Sequence, residues 1–153
     1  MVKVFVVYDT KYGNTKLVAE KIVEGLREAK AIETAISDVE NVDIDDVADS
    51  DAIVIGSPNH MGSPARSISN FIDKLGRLGP KVKQVAVFDT YLGADFEKAV
   101  RKMEQRINEK APGLKIIAPG LSIKVVGAKG PVAEGELPKS KEFGTKIATQ
   151  LVR

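Results

Sequence analysis

Hydrophobic and polar positions follow two rhythms along this chain. VKVFVVY (residues 2–8) is apolar and rich in β-branched residues without clean alternation, the pattern of a strand buried on both faces. Residues 14–30 then carry Leu17, Val18, Ile22 and Leu26 at helical spacing. A weaker strand is predicted near residues 31–37, followed by a short acidic segment and by DAIVIG (51–56) as another buried strand. Ser63 is expected to cap the next helix, with Pro64 in its first position, where no backbone donor is needed. Ile68, Phe71, Ile72 and Leu75 mark that helix's buried face, and Gly76 and Gly79 help to end it. VKQVAVFD (82–89) reads as the fourth strand. Asp95 is expected to cap the following helix, whose buried side is Phe96, Val100, Met103 and Ile107 and which Pro112-Gly113 terminates. LKIIAPGLSIKVV (114–126) is the fifth strand region, interrupted by Pro119-Gly120. GAKGPVAEGE (127–136) reads as a surface connection to a last helix presenting Phe143, Ile147 and Leu151.

Strand and helix thus alternate, which argues for an α/β fold: a parallel sheet with helices on both faces. No repeat, low-complexity tract or linker divides the chain, so residues 1–153 are expected to form one domain. In open parallel sheets ligands sit beyond the carboxyl ends of the strands, where the winding reverses. Three loops leave those ends with unusual chemistry: TKYGNT (10–15), SPNHMGS (57–63) and DTYLGAD (89–95). The first is neither a P-loop nor GxGxxG, so it signals no nucleoside triphosphate or dinucleotide. It offers the hydroxyls of Thr10 and Thr15, the amide of Asn14 and backbone N–H groups around Gly13, all opening into a helix N-terminus. A phosphate monoester suits such a nest, because the orphan donors and the helix dipole favour an anion. A Gly-Asn turn with a threonine beside it also serves simply to turn a corner.

Composition removes several classes of chemistry. With 153 residues and 43% hydrophobic content the chain can bury roughly 70% of its extended surface without staples. It has no cysteine and one histidine, His60, which excludes disulfides, thiolate chemistry and multi-histidine metal sites; any redox chemistry needs a borrowed cofactor. The N-terminal apolar run is too short for a secretory signal, and nothing approaches a membrane span, so a cytoplasmic protein without membrane association is expected. Net charge is +2 but uneven: residues 31–65 hold eight acids and no Lys or Arg, whereas residues 66–153 hold 17 bases and 9 acids. The bases are interspersed with acids and aromatics are few, which disfavours nucleic acid and favours solvated helix faces. Asp43-x-Asp45 lacks the remaining ligands of an EF-hand, so helix capping and solubility explain the acidic stretch and no metal site is expected. A serine-hydrolase reading of His60 with Ser57 or Ser63 lacks the strand-turn-helix nucleophile motif.

Three motifs resemble one family. TKYGNT is similar to the phosphate loop of the flavodoxin family, a Ser or Thr, two variable residues, Gly, Asn and a Thr or Ser. GSPNHMGSP resembles that family's second loop, with DAIVIGSP especially like the flavodoxin domains of A-type flavoproteins, and FDTYLGADFEKAV resembles the third loop and its helix. The resemblance covers nearly the whole chain, in order, and is to a short-chain flavodoxin. It implies a flavodoxin-like three-layer sandwich with a five-stranded parallel sheet in the order 2-1-3-4-5, and non-covalently bound flavin mononucleotide (FMN). Position by position it assigns the phosphate to Thr10, Lys11 (through its backbone N–H), Tyr12, Gly13, Asn14 and Thr15. It places Ser57, Pro58, Asn59, His60, Met61 and Gly62 on one side of the isoalloxazine, and Asp89, Thr90, Tyr91, Leu92 and Gly93 on the other. Tyr91 would stack on the ring, and His60 close to it would make the potential pH-dependent. The Met61-Gly62 pair resembles one in which a peptide carbonyl turns to accept a hydrogen bond from the reduced ring's N5–H, with Gly62 permitting the turn. Two departures stand out. The A-type domains typically carry tryptophan in the third loop, where this chain has Leu92-Gly93, and many flavodoxins are strongly acidic whereas this chain is slightly basic.

The function implied is electron transfer between redox partner proteins, donor and acceptor unidentified, by a monomer or homodimer without catalytic residues of its own. A NAD(P)H-dependent quinone or azo reductase is the alternative; it needs a second pocket beside the flavin, from an insertion this chain lacks or from a dimer. A binding module is the third class. A receiver domain would use Asp9, but GSPN (56–59) supplies no phosphoacceptor aspartate; a flavodoxin-like chain that no longer binds flavin also belongs here.

Overall fold

A computed structural model describes residues 1–78 and 83–152; Gly79 and Val82, expected at a helix end and a strand start, lie outside the described residues. In chain order the elements are β1 (Val2–Tyr8), α1 (Asn14–Leu26), β2 (Ile32–Asp38), α2 (Ile44–Ala48), β3 (Ala52–His60), β4 (Ser63–Pro64), α3 (Arg66–Arg77), β5 (Lys83–Tyr91), α4 (Lys98–Lys110), β6 (Leu114–Ile116), β7 (Leu121–Lys124) and α5 (Glu136–Leu151). The sheet runs β2-β1-β3-β5-β6, with β7 also parallel to β5. β6 and β7 therefore share the fifth strand position: Lys83 registers with Leu114, and Phe88 with Leu121. The Pro119-Gly120 interruption separates them, since proline offers no ladder donor. The five strand positions thus follow the expected 2-1-3-4-5 order. One addition is antiparallel: β4 folds back on the end of β3, pairing His60 with Ser63 and Asn59 with Pro64.

The unbroken apolar runs have a simple cause. Alternate residues of each central strand feed two separate cores. Val4, Val6, Tyr8, Ala52, Val54, Ala86 and Phe88 pack with α1 and α5, and Phe5, Val7, Ile53, Ile55, Val85 and Val87 pack with α3 and α4. Both faces are dry, so no polar alternation survives. On the first face α1 and α5 pack closely enough that a Cβ on Gly25 would collide with the Lys141 carbonyl oxygen, and one on Gly144 with that of Ile22.

Several local expectations are corrected. Ser63 and Pro64 lie in β4, not at a helix start; Ala65 takes the N-cap position of α3, and its N–H donates to Ser57 Oγ at 2.8 Å. Leu17 is exposed and so is Phe96 (54%), which leaves the α4 face to Ala99, Val100, Met103 and Ile107. Asp95 does not cap α4: its carboxylate pairs with Lys98 Nζ at 3.2 Å, and Glu97 occupies the N-cap with left-handed backbone (φ 61°), its own side chain making no capping bond. The acidic stretch does contain a cap, Asp43 Oδ1 accepting from the Asp45 N–H at 2.9 Å to open α2.

Candidate functional site

Parallel strands deliver their carboxyl ends to one rim, and the turns leaving β1, β3 and β5 meet there around a cleft of about 220 Å³. Thr10, Lys11, Tyr12, Asn14 and Thr15 line it from the first turn, Pro58, Asn59 and His60 from the second, and Thr90, Tyr91 and Leu92 from the third. A smaller cavity of about 60 Å³ lies toward the opposite rim, among Ala48, Leu75, Ala111 and Leu114; it is an apolar crevice between helix ends and offers no comparable set of polar groups.

The first turn is shaped by Gly13, which sits at the N-cap of α1 with φ 94°, a left-handed geometry that favours glycine. No side chain caps α1 from that position. Its first-turn N–H groups are therefore left without an acceptor from that position, at the positive end of the helix dipole, an arrangement suited to an anion. Thr10 Oγ1 accepts from the Gly13 N–H at 3.0 Å, which leaves its own proton to donate. Thr15 Oγ1 and Thr90 Oγ1 are 2.9 Å apart and buried, so one hydroxyl bond ties the first turn to the third. The Lys11 ammonium lies over the Tyr12 ring, 5.4 Å from its centroid. The donors converging on this end are thus hydroxyls, an amide and backbone N–H groups.

The second turn is a two-residue hairpin between β3 and β4, with Met61 (φ 55°) and Gly62 (φ 85°) both left-handed, the pattern of a type I′ turn. It projects Met61 outward, 99% exposed. Behind this turn lies a buried polar knot. Asp89, at 0% exposure, accepts from Asn59 Nδ2 (3.0 Å) and the Val100 N–H (3.1 Å) through Oδ2, and from Ser122 Oγ through Oδ1. Burial pushes the Asp89 carboxyl up to about 6, and those three donors hold it from rising further. Val100 is the third residue of α4, so Asp89 supplies from the sheet the capping acceptor that Asp95 was expected to give. Ser122 Oγ also accepts from the Glu97 N–H at 2.9 Å, satisfying a second donor at that helix start.

Eleven of the expected site residues line the cleft. Ser57, Met61, Gly62, Asp89, Gly13 and Gly93 are absent from its walls: Ser57 and Asp89 are buried behind it as braces, the glycines shape its turns, and Met61 stands in solvent. Val125 and Ala128 complete the walls and were not anticipated. They belong to the segment leaving β7, whose Val125 bridges Val132 and whose Gly130 (φ 94°) approaches the Asn14 amide so closely that any Cβ would collide with it. That segment departs from the same rim as the other three turns, which was the signal available. Tyr91 is braced from outside by Phe96, edge-on at 5.3 Å between ring centroids. Among the described residues no group of His, Asp and Glu is arranged to hold a metal, and no helix is long and apolar enough to cross a membrane.

An α/β sandwich with a polar-ended cleft at its switch-point rim defines a class of small-ligand-binding folds. A family model described as Flavodoxin domain matches residues 5–129, and the chain belongs to that family. It is 38% identical over 73 residues to a flavodoxin of Aquifex aeolicus, covering 48% of this chain and 40% of that one. It is 30% identical over 155 residues to a nitric oxide reductase of Moorella thermoacetica, covering 97% of this chain and 36% of that protein. The matched region therefore spans less than half the length of these curated relatives. The solved structure of a flavodoxin from the domain Archaea superposes with a TM-score of 0.84 at 26% identity, covering 99% of this chain and all of that one. Membership of the family implies a flavin cofactor.

Proposed function

We propose that the chain binds FMN in this cleft without a covalent link and transfers single electrons between protein partners, with residues 1–153 acting as one unit. The observation that supports it best is the convergence of three turns, from β1, β3 and β5, on one cleft lined by the uncapped N-terminus of α1 and by Tyr91. The donor set fits a phosphate monoester: hydroxyls, amides and helix N–H groups neutralise a dianion without burying a lysine. The flavin, when bound, supplies the one-electron chemistry that no side chain of this chain offers.

Each residue then has a definite task. Thr10, Thr15, Asn14 and the N–H groups of Lys11, Tyr12, Asn14 and Thr15 hold the phosphate, Gly13 shapes the turn with its N–H on Thr10 Oγ1, and the Lys11 ammonium stays over Tyr12. Pro58, Asn59 and His60 form one wall for the ring; Thr90, Tyr91 and Leu92 form the other, with Tyr91 offering its face. Ser57 and Asp89 keep those walls in place from behind. Met61 and Gly62 form the hairpin tip, where Gly62 would leave the turn free to present a backbone carbonyl to the flavin. Met61 and Phe96 mark the apolar rim through which partners reach the ring's edge.

Titration of the purified protein with FMN, followed by absorbance and flavin fluorescence, tests this reading. Binding with paired near-ultraviolet and blue bands is expected, with riboflavin bound at least about 100-fold more weakly for want of the phosphate. A colourless protein that takes up no FMN, or one that binds riboflavin equally well, would overturn it. Steady-state oxidation of NADPH with a quinone acceptor separates the carrier from a reductase; the carrier gives no turnover above that of free FMN.

A further inference from the structure

We propose that Asn59 determines which face of the bound flavin's polar edge is accepted: fixed by Asp89, its side-chain oxygen takes a hydrogen bond from a donor of the ligand, a ring N–H or a ribityl hydroxyl, and Asp89 is the positioning residue. This rests on the cleft holding a flavin. Two observations support it. The first is orientation. Asp89 Oδ2 receives Asn59 Nδ2 at 3.0 Å and the Val100 N–H at 3.1 Å, and Oδ1 receives the Ser122 hydroxyl. The carboxylate is thereby gripped from β3, α4 and β7 at once. A flip of the Asn59 amide would set oxygen against a carboxylate oxygen and lose a hydrogen bond, so the nitrogen must face inward. The second is what remains. Asn59 lines the cleft, and its Oδ1 is buried without any hydrogen-bond partner among the described residues.

Folded chains rarely leave a buried side-chain acceptor unpaired, and such exceptions concentrate where a ligand will arrive. An acceptor held in one orientation also discriminates. It favours ligand donors and repels ligand acceptors, and the flavin edge consists mostly of acceptors, with one ring N–H and the ribityl hydroxyls as its donors. A sequence bearing Asn at 59 but lacking an acid at 89 would leave the amide free to turn and would lose that selectivity.

Dissociation constants of FMN, N3-methyl-FMN and FMN analogues lacking single ribityl hydroxyls, read by flavin fluorescence quenching, test the proposal in the wild type, Asn59→Ala, Asp89→Ala and Asp89→Asn. Asn59→Ala should bind FMN about tenfold more weakly, the loss of one hydrogen bond. One analogue, missing the donor that Asn59 meets, should bind the wild type about tenfold more weakly than FMN and bind Asn59→Ala as well as FMN does. The N3-methyl arm assigns the donor to the ring and the deoxy arms to the ribityl chain. Asp89→Ala should reproduce Asn59→Ala, whereas Asp89→Asn keeps an oxygen toward Val100 and Asn59 and should stay within about threefold of the wild type. Should Asp89→Ala fail to fold, the Asn59→Ala arms decide. Equal FMN affinity in wild type and Asn59→Ala overturns the proposal alone, as does an equal loss for every analogue in a folded Asn59→Ala. A wild type that binds no FMN overturns the flavin reading and this one together.

Discussion

Replacing Asp89 by asparagine should change how the flavin-free protein's stability depends on pH. The carboxyl is fully buried, and burial raises it from the ordinary 3.8 to about 6 despite three hydrogen bonds. Between these values the folded chain holds a proton that the unfolded chain has released, so the folded state binds more protons and stability falls as pH rises from about 4 to about 6. About two units correspond to about 3 kcal/mol at 25 °C, absent below pH 4 and fully expressed above pH 6. The substituted amide would keep the shape and an acceptor toward Val100 and Asn59, while its NH₂ could donate to Ser122. It has no charge to desolvate. Urea unfolding of both proteins at pH 4, 5, 6 and 7, with free energies from linear extrapolation, isolates the effect. Other carboxylates titrate in the same range. Asp73, held low by its hydrogen bond from Arg106, contributes stability present above its unfolded pKa and lost as pH falls, but it does so equally in both proteins and cancels. The difference between Asp89→Asn and wild type should therefore be near zero at pH 4 and grow in the variant's favour to about 3 kcal/mol at pH 7. A difference that stays flat with pH, or that grows in favour of the wild type, would refute the reasoning.

Three further perturbations probe separate parts of the molecule. Gly144→Ala drives a methyl into the Ile22 carbonyl across the α1–α5 contact, and thermal or urea unfolding should show a loss of about 1–3 kcal/mol. Asp73 holds Arg106 through both its oxygens (2.8 and 2.6 Å), joining α3 to α4; because the pair is partly exposed, a double-mutant cycle with Asp73→Ala and Arg106→Ala should return a coupling of at most about 1 kcal/mol, smaller at high salt. Gly62→Val puts a β-branched residue at φ 85° and against Lys98 Cδ, straining the hairpin by about 1–2 kcal/mol. Potentiometric titration of the FMN-loaded variant should then show a narrower gap between its two one-electron potentials, and an unchanged gap would remove Gly62 from that role.

Much of the fold was legible because its determinants are local. VKVFVVY and DAIVIG carry no alternation, and β1 and β3 are buried on both faces for that reason. Ile68, Phe71, Ile72 and Leu75 repeat at helical spacing, and they form the buried face of α3. Pro119-Gly120 interrupts an apolar run, and the fifth strand position is split there into β6 and β7. The failures are equally specific. Ser63-Pro64 satisfied every local rule for a helix start, yet the left-handed pair Met61-Gly62 turned that segment back onto β3 first, and Ser57, eight residues before Ala65, took over at the helix entry. Phe96 fell in step with Val100 and Met103, but the helix begins only at Lys98, and outside it the periodicity has no meaning.

The layering of the site is where local reading stops. Sequence order shows which residues follow a strand, and the strand ends define the rim, so the turns at 10–15, 57–62 and 89–93 could be assigned to one place. It does not show which of two adjacent side chains faces the cleft and which faces the protein. Parallel pairing decides that: Ser57 registers with Asp89 and Pro58 with Thr90 across β3 and β5, so the first pair falls on the buried side and the second beside the cleft. Asp89 is thereby excluded from direct contact and committed to Asn59, Val100 and Ser122, three residues from three elements that no spacing rule connects. The same carboxylate that starts α4 also sets the amide on the cleft wall. Helix α4 and the second turn therefore share one anchor, and a substitution that removes its acceptor oxygens to relieve the buried charge would also loosen the site.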